Sequence, residues 1–333
     1  MDIKRILKNI LLYGIGIIII LLIMWHIGIK EIIVVFLSMN IYLFLVALFM
    51  YLLTIFIIAM RWRSILLINN CSAKFINLLL LILMGQFINN ITPSMKGGSE
   101  PFRAYYLSKL ENIPNHISFS SVVIERLLDT LVFLILTFFV IIYFVINGII
   151  YVKELIFVWV VIGGLTILGL YVIMHKTLAF KIALKIAKIV TKYSSKTINE
   201  DKIKESIRLF QNNIRFFKNN KSKIIIPFIL SFGWWILDII RIYILFLAIK
   251  CNISLLAVSS TYLVSLLIGI IPTLPGSLGT SDAVMIGMYS LFNVSYSKAA
   301  AGTILDRIIS YGLATIMGAL AYEIIKKKLK NKK

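Results

Sequence analysis

The sequence has 333 residues, of which 60% are hydrophobic and 15% are charged, and its mean hydropathy is +0.96. A water-soluble domain usually carries charge on about a quarter of its residues, so this composition leaves too little polar surface to cover one. The formal net charge of +21 does not indicate a nucleic-acid groove, because the basic residues lie between or beyond long apolar blocks. These features predict an all-α, polytopic helix bundle in a membrane.

Six apolar blocks are long enough to cross a bilayer, which takes ~20 residues. The first follows a basic cluster at Lys4, Arg5 and Lys8, and no small-residue cleavage site comes after it. We therefore interpret it as a retained helix and not as a signal peptide. The blocks are 9–28, 40–60, 119–146, 154–174, 224–249 and 301–323.

Two further apolar stretches are shorter and stop at turns rich in proline and glycine. They are 75–92 and 255–271, and each is followed by a moderately apolar stretch, 101–110 or 283–293. Because of their length, these stretches need a different explanation from a simple membrane crossing.

Basic residues set the predicted orientation. Four basic regions are expected on the inner side of the membrane. They are the two termini, the end of the second span at Arg61 with its basic neighbours, and the segment 175–223. Region 75–116 must then begin and end inside, whereas 250–300 must begin and end outside. Each short apolar stretch is therefore predicted to form a re-entrant helical hairpin, which requires a cavity lined by protein or water.

The segment 175–223 is predicted to be a basic amphipathic connector. Lys181, Lys185, Lys188 and Lys192 recur every three or four residues, with apolar residues between them. This spacing is typical of a helix that lies on an anionic inner leaflet. The more polar residues 194–223 are also compatible with a solvated connector.

The two hairpins resemble each other. Residues 93–100 (PSMKGGSE) and 275–282 (PGSLGTSD) match at proline, glycine, serine and an acid without a gap. An acid–arginine pair follows the acid after 25 residues in the first case and after 24 in the second. We interpret 40–146 and 224–323 as inverted repeats, a plan common in transporters that bind substrate at the repeat interface. The matched residues are Pro93, Gly97, Ser99 and Glu100 with Pro275, Gly279, Ser281 and Asp282, and the pairs are Glu125-Arg126 and Asp306-Arg307.

Charged residues occur inside the predicted spans, where each costs at least ~2.5 kcal/mol and needs a partner or a role. Adjacent Glu125 and Arg126 cannot face each other well, so their partners are expected elsewhere. From the inverted repeat we predict that Glu125 approaches Arg307 and that Asp306 approaches Arg126. Either a salt-bridge network that fixes helix registry or a polar cavity for a headgroup or ion would explain these charges.

Four other residues, all in the apolar block 224–249, have simpler explanations. Asp238 and Arg241 lie one turn apart and are expected to form a local pair. Trp234 and Trp235 are expected to pack or to anchor the interface.

The hairpin turns allow two interpretations. Glycines expose backbone amides, and the N termini of the returning helices would attract an anion such as phosphate. Alternatively these residues only turn and cap buried backbone, with Glu100 and Asp282 accepting helix N-terminal amides and Thr280 or Ser281 as N-cap. The turn residues concerned are Asn90, Pro93, Gly97 and Gly98 in the first hairpin, and Pro275, Gly276 and Gly279 in the second.

At these motifs the chain resembles the flippase-like membrane family, also called the lysylphosphatidylglycerol synthase transmembrane region, over nearly its whole length. The motifs are Asn90-Ile91-Thr92-Pro93, Gly97, Gly98, Glu100 and Arg103, then residues 123–129, then residues 275–279 with Asp282, and finally Arg307. The resemblance implies lipid handling, such as translocation of aminoacylated phospholipid or of lipid-linked intermediates. Asp282 stands where a glutamate is usual and Ser277 where a second glycine often follows. Because the sequence ends in a lysine-rich tail from Lys326, we expect neither a soluble aminoacyl-transfer domain nor synthase activity.

The sequence favours a lipid flippase or scramblase in the cell membrane with both termini cytoplasmic. Its substrate-binding residues would be Arg103, Arg126 and Arg307, which would hold phosphate, with Glu100, Glu125, Asp129, Asp282 and Asp306, which would balance the arginines and relay protons. A proton- or sodium-coupled secondary transporter of a small polar solute would use the same carboxylates.

An enzyme is not expected, because the sequence offers no nucleophile–base signature. Neither a metal nor a cofactor is expected, because the two cysteines and three histidines are dispersed. Partners would be membrane lipids, anionic headgroups at 175–223, and a glycosyltransferase or lipid-synthesis enzyme, but not nucleic acid.

Overall fold

A computed structural model describes residues 29–92, 98–148, 152–191, 200–269 and 277–332. Within these ranges all regular structure is helical, which confirms the predicted all-α bundle. The predicted first span and the turn residues Pro93, Gly97, Pro275 and Gly276 lie outside the described residues.

The helices follow each other with short connections. They are α1 (Ile29–Leu37), α2 (Ile41–Ile68), α3 (Phe75–Ile91), α4 (Glu100–Glu111), α5 (Asn115–Ile146), α6 (Val152–Met174), α7 (Lys176–Thr191), α8 (Glu200–Asn219), α9 (Lys221–Ala248), α10 (Leu255–Gly269), α11 (Thr280–Leu291), α12 (Tyr296–Arg307) and α13 (Ala314–Lys330). A π-helical turn, Ile308–Leu313, joins α12 to α13 into one continuous helix.

Five helices in the described ranges are long and apolar enough to cross a membrane. They are α2, α5, α6, α9 and the continuous helix from Tyr296 to Lys330. Each coincides with a predicted span. Helices α3 and α10 are apolar but have only 17 and 15 residues, as predicted for the two short stretches.

The two hairpins are formed by consecutive helices that touch. Helix α3 contacts α4, and α10 contacts α11. Helix α2 packs along α9, and α3 packs along α13. A Cβ on Gly318 of α13 would lie 2.4 Å from the carbonyl oxygen of Leu83, so glycine is required for the close approach of α3 and α13. The depth of the hairpins in a bilayer remains a prediction.

Helices α6 and α8 lie at the edge of the bundle in different ways. Of the 23 residues of α6, only Leu155 is buried. The remaining, largely apolar surface of this helix therefore suits contact with lipid. Helix α8 instead inserts Ile214 and Phe217 into an apolar cluster formed with α2 and α5, and Asn213 donates a hydrogen bond to Ser120 Oγ. Residues 200–219 are thus part of the bundle, and a fully solvated connector does not describe them.

Candidate functional site

The charged side chains inside the bundle fall into two clusters of ion pairs. The first cluster consists of Arg61, Glu100, Arg103, Glu125, Arg126 and Asp129. The second cluster consists of Asp238, Arg241, Asp282, Asp306 and Arg307. All eight predicted substrate-binding residues belong to one of these clusters.

The centre of the first cluster is Glu125, which is fully buried on α5. Its Oε1 accepts a hydrogen bond from Arg61 Nη2 at 2.9 Å, and its Oε2 accepts one from Arg103 Nη2 at 2.7 Å. Arg61 comes from α2, is also fully buried, and donates through Nη1 to Asp129 one turn further along α5. A carboxylate enclosed by two guanidinium groups has its charge balanced without water.

The outer part of the first cluster is looser. Arg126 Nη2 lies 3.2 Å from Asp129 Oδ2, but Arg126 Nε lies 3.7 Å from the nearest carboxylate oxygen of Glu100. The side chain of Arg126 is 35% exposed. Trp234 of α9 donates its indole N–H to Asp129 Oδ1 at 3.0 Å. The predicted role of Trp234 as packing or interface anchor is therefore incomplete, because it also holds a charged residue.

The second cluster is centred on Arg241 of α9. Arg241 Nε donates to Asp238 Oδ1 at 2.8 Å, and Arg241 Nη2 lies 2.7 Å from Asp306 Oδ1. Arg307 Nε donates to Asp282 Oδ1 at 2.5 Å. The local pair of Asp238 and Arg241 is confirmed, and Arg241 in addition joins α9 to α12.

The same order of partners occurs twice along the chain. An arginine on the long helix before the hairpin binds the acid of the acid–arginine pair. The arginine of that pair faces the acid at the start of the second hairpin helix. These contacts are Arg61 with Glu125 and Arg126 with Glu100 in the first cluster, and Arg241 with Asp306 and Arg307 with Asp282 in the second.

The predicted contacts of Glu125 with Arg307 and of Asp306 with Arg126 are wrong. Glu125 is already enclosed by Arg61 and Arg103, and Asp306 is bound by Arg241. The partners thus come from the preceding long helix of the same half. The repeat similarity correctly indicated that these residues are equivalent, but equivalence does not require that they touch.

Arg61 is a site residue that the sequence analysis missed. It was assigned to the inside surface because the apolar block was ended at residue 60, whereas α2 continues to Ile68 and buries Arg61 completely. The apolar residues 65–68 after Arg63 could have indicated this. So could the spacing, because 64 residues separate Arg61 from Glu125 and 65 separate Arg241 from Asp306.

The turn of the first hairpin is held by asparagines. The backbone N–H groups of Gly98 and Ser99 donate to Asn89 Oδ1 at 3.3 and 3.0 Å. Asn90 donates to Thr315 Oγ1 at 2.9 Å, and its carbonyl accepts from the Tyr311 hydroxyl at 3.2 Å. The predicted turn residue Asn90 therefore joins α3 to the π-helical turn and its continuation.

The turn of the second hairpin is capped by its acid. Gly279 has a φ of 81°, which favours glycine, and is the N-cap of α11 in place of the expected Thr280 or Ser281. Its N–H donates to Asp282 Oδ2 at 2.8 Å. Asp282 thus caps the helix as one interpretation expected. Glu100, its counterpart on α4, makes no such bond among the described residues.

One cavity of about 200 Å³ is bordered by both clusters and by residues of both hairpins. Ser99 and Ser281, at the starts of α4 and α11, both face it. Its charged lining residues are Arg61, Arg103, Arg126, Arg241 and Arg307 with Asp129, Asp238 and Asp306. No group of His, Cys, Asp and Glu suitable for a metal ion occurs in the ranges that the structure describes. The arrangement suits a polar or charged group that makes hydrogen bonds inside a membrane protein.

Comparison with known proteins identifies the family. The family profile described as "Lysylphosphatidylglycerol synthase TM region" matches residues 9–318. A UPF0104 membrane protein of Methanocaldococcus jannaschii is 44% identical over 99% of this chain and 98% of its own length. UPF0104 membrane proteins of Methanothermobacter thermautotrophicus (36% identical, 72% of this chain and 73% of the relative) and Pyrococcus horikoshii (28%, 94% and 96%) are also similar. The chain belongs to the lysylphosphatidylglycerol synthase transmembrane-region family and is a multi-pass membrane protein.

Proposed function

We propose that this protein is a lipid flippase or scramblase, in which a lipid headgroup crosses through the cavity while the hydrocarbon chains stay in the bilayer. The observation that carries this proposal is the cavity itself, which both charge clusters line inside a bundle of membrane-crossing helices. A headgroup needs a polar path of this kind because hydrocarbon cannot solvate it.

A network that only fixes helix registry would enclose its charges, because exposed ion pairs contribute little stability. Glu125 and Arg61 are enclosed in this way. The side chains of Arg126 and Arg307 are instead 35% and 17% exposed, and both face the cavity. The clusters therefore combine a structural centre with charged groups that a substrate can reach.

The proposal includes an inverted repeat of 40–146 and 224–323, with the two hairpins re-entrant from opposite sides. The doubled order of ion pairs supports equivalence of the halves. In transporters with inverted repeats, substrate binds near the midplane between the halves, and the halves move against each other. The cavity between the two hairpins is the corresponding position here.

The orientation belongs to the same proposal. Both termini and the connector would lie inside, with the exposed lysines of α7, such as Lys181 and Lys185, against anionic headgroups. The function proposed is transport and not chemical conversion, and the lipid would come from or go to a separate synthetic enzyme.

Lipid scrambling in liposomes tests the function. A fluorescent anionic phospholipid is bleached from outside, and the protected inner-leaflet pool is followed with time. We expect wild-type protein to accelerate its loss, and the cavity variants Arg126→Ala and Arg307→Ala to abolish the acceleration.

The controls for this assay are exposed residues with similar chemistry. Arg208→Ala removes an exposed arginine whose partner also lies three residues away, and Glu323→Gln changes an exposed glutamate. Both should scramble like wild type. No acceleration over empty liposomes by folded protein, or wild-type rates in both cavity variants, would contradict the proposal.

A proton- or sodium-coupled transporter of a small polar solute is the second candidate. It is favoured by the three carboxylates in the cavity, Asp129, Asp238 and Asp306, which could bind a coupling cation. A proton-coupled transporter would change the lumenal pH when solute is added, and a sodium-coupled one would change the lumenal sodium concentration, in both cases without moving fluorescent lipid. A pH-sensitive and a sodium-sensitive dye inside the liposomes distinguish them from the flippase.

A further inference from the structure

The two clusters differ at one equivalent position. In the second cluster Arg307 Nε donates to the carboxylate of Asp282 at 2.5 Å, and the other oxygen of that carboxylate accepts the Gly279 N–H at 2.8 Å. This half therefore contains its own oxyanion, bound between a guanidinium group and a helix start. In the first cluster Arg126 Nε is 3.7 Å from Glu100, and it has no hydrogen-bond acceptor among the described residues.

Two further donors of the first cluster are also unmatched. The Nε atoms of Arg61 and Arg103 are buried and have no acceptor in the described part of the chain. The side chains of Arg61 and Arg103 are only 1% and 5% exposed, and both residues line the cavity. Buried charged donors without an acceptor are costly, and the two buried oxygens of Glu100, which also lack a hydrogen-bond partner within the described ranges, satisfy none of these three donors. An acceptor-bearing ligand would satisfy them.

The first cluster presents more hydrogen-bond donors than acceptors to the cavity. Arg61, Arg103, Arg126 and Asp129 line the cavity from the first cluster, whereas the two oxygens of Glu125 are already used by Arg61 and Arg103. Three guanidinium groups thus face the space with one carboxylate. Planar guanidinium groups bind phosphate oxygens in pairs, which makes them the usual phosphate partners.

Space for these side chains depends on α3. A Cβ on Gly85 would lie 2.7 Å from Arg103 Cδ and 3.3 Å from Ser99 Oγ. The glycine lets Arg103 and the start of α4 approach α3 at the cavity. The arginine is therefore positioned beside the helix start that corresponds to the one capped by Asp282.

We propose that the first cluster binds a phosphate or phosphodiester oxyanion between Arg103 and Arg126, as the second cluster binds the carboxylate of Asp282 against Arg307. The identification of this oxyanion as part of a lipid headgroup rests on the proposed function. Glu100 competes with the ligand, because its carboxylate lies 3.7 Å from Arg126 Nε and repels an anion beside it. Of the three arginines predicted to hold phosphate, this assigns the role to Arg103 and Arg126 and not to Arg307, because Arg307 Nε already donates to Asp282.

Calorimetric titration of the purified protein in an uncharged detergent at low salt tests this site. Inorganic phosphate is the first probe and a soluble short-chain phosphatidylglycerol is the second. We expect saturable binding of at least one of them. Arg126→Lys keeps the charge but removes the Nε donor and should weaken binding about tenfold or more, and more than Arg307→Lys does. Glu100→Gln removes the competitor and should strengthen binding, and Arg208→Lys serves as the exposed control.

The probes separate this inference from the proposed function. Binding of both probes with the expected variants supports the site and shows that the phosphate group suffices. Binding of the lipid alone supports a site that also requires the rest of the headgroup. Binding of phosphate without lipid scrambling supports the oxyanion site but contradicts the flippase. No saturable binding of either probe, or equal effects of Arg126→Lys and Arg307→Lys, overturns the inference.

Discussion

The two charge clusters have the same order of partners but differ in how completely they are closed. In the second cluster Asp282 satisfies both Arg307 and the start of α11, and its side chain is only 5% exposed. In the first cluster Glu100 stands away from Arg126, and both side chains are more exposed. A purely structural network would gain by closing both. We infer from this difference that Asp282 and Arg307 hold the bundle together, whereas the equivalent Glu100 and Arg126 are available to a ligand.

The first cluster itself contains both kinds of residue. Arg61 and Glu125 form its buried centre and join α2 to α5, and Arg103 of α4 binds Glu125 and also borders the cavity. Arg126 and Glu100 lie at the accessible edge. Stability and function should therefore be separable by substitution within one cluster.

The largest effect is expected at the enclosed centre. Arg61→Ala would leave Glu125 with one of its two partners and Asp129 without its closest, at a cost of about 3–5 kcal/mol in folding stability. Arg63→Ala, two residues further along α2, removes an exposed arginine and should change stability by less than ~0.5 kcal/mol. Size-exclusion chromatography of detergent-solubilised protein after heating measures both. Equal heat resistance of the two variants would contradict an enclosed structural centre.

The next effect compares the two acids at the hairpin helices. Asp282→Ala removes the hydrogen bonds to Arg307 and Gly279 and should cost about 1.5–3 kcal/mol. Glu100→Ala removes only a long, partly exposed pair and should cost less than ~1 kcal/mol. Thermal unfolding followed by intrinsic tryptophan fluorescence compares them. A greater loss for Glu100→Ala would show that the first cluster is closed in solution.

The smallest effect concerns Trp234 of α9. Trp234→Phe keeps an aromatic ring but removes the N–H that donates to Asp129 Oδ1 at 3.0 Å. The substitution should therefore destabilise the protein by about 1 kcal/mol relative to wild type. The same unfolding assay, read by circular dichroism, measures this difference. Identical unfolding curves would mean that Trp234 only packs.

Much of the fold could be predicted from the sequence because lipid imposes long apolar runs. Five predicted spans coincide with long helices, and the two short stretches are the short apolar helices α3 and α10. The packing of α8 could not be predicted in this way. Its net composition is polar, and a few apolar residues, among them Phe210, Ile214 and Phe217, pack against α2 and α5.

The sequence predicted most of the charged residues of the site, but it did not predict which of them form ion pairs with each other. Buried charges are costly, so Glu125, Arg126, Asp306 and Arg307 stand out in apolar helices. Local spacing correctly predicted the pair of Asp238 and Arg241. Which arginine binds Glu125 or Asp306 depends instead on the crossing of separate helices, which local spacing does not specify. Arg61 was missed for a related reason: it lies near a span end, where arginine usually marks the inside surface.

The central claim is that a lipid headgroup crosses through the cavity that both clusters line. The most direct test is the scrambling rate in liposomes for wild type, Arg126→Ala, Arg307→Ala and the exposed control Arg208→Ala. The account predicts that wild type and Arg208→Ala accelerate lipid exchange and that both cavity variants, shown to be folded, do not. Wild-type exchange in both folded cavity variants would contradict it.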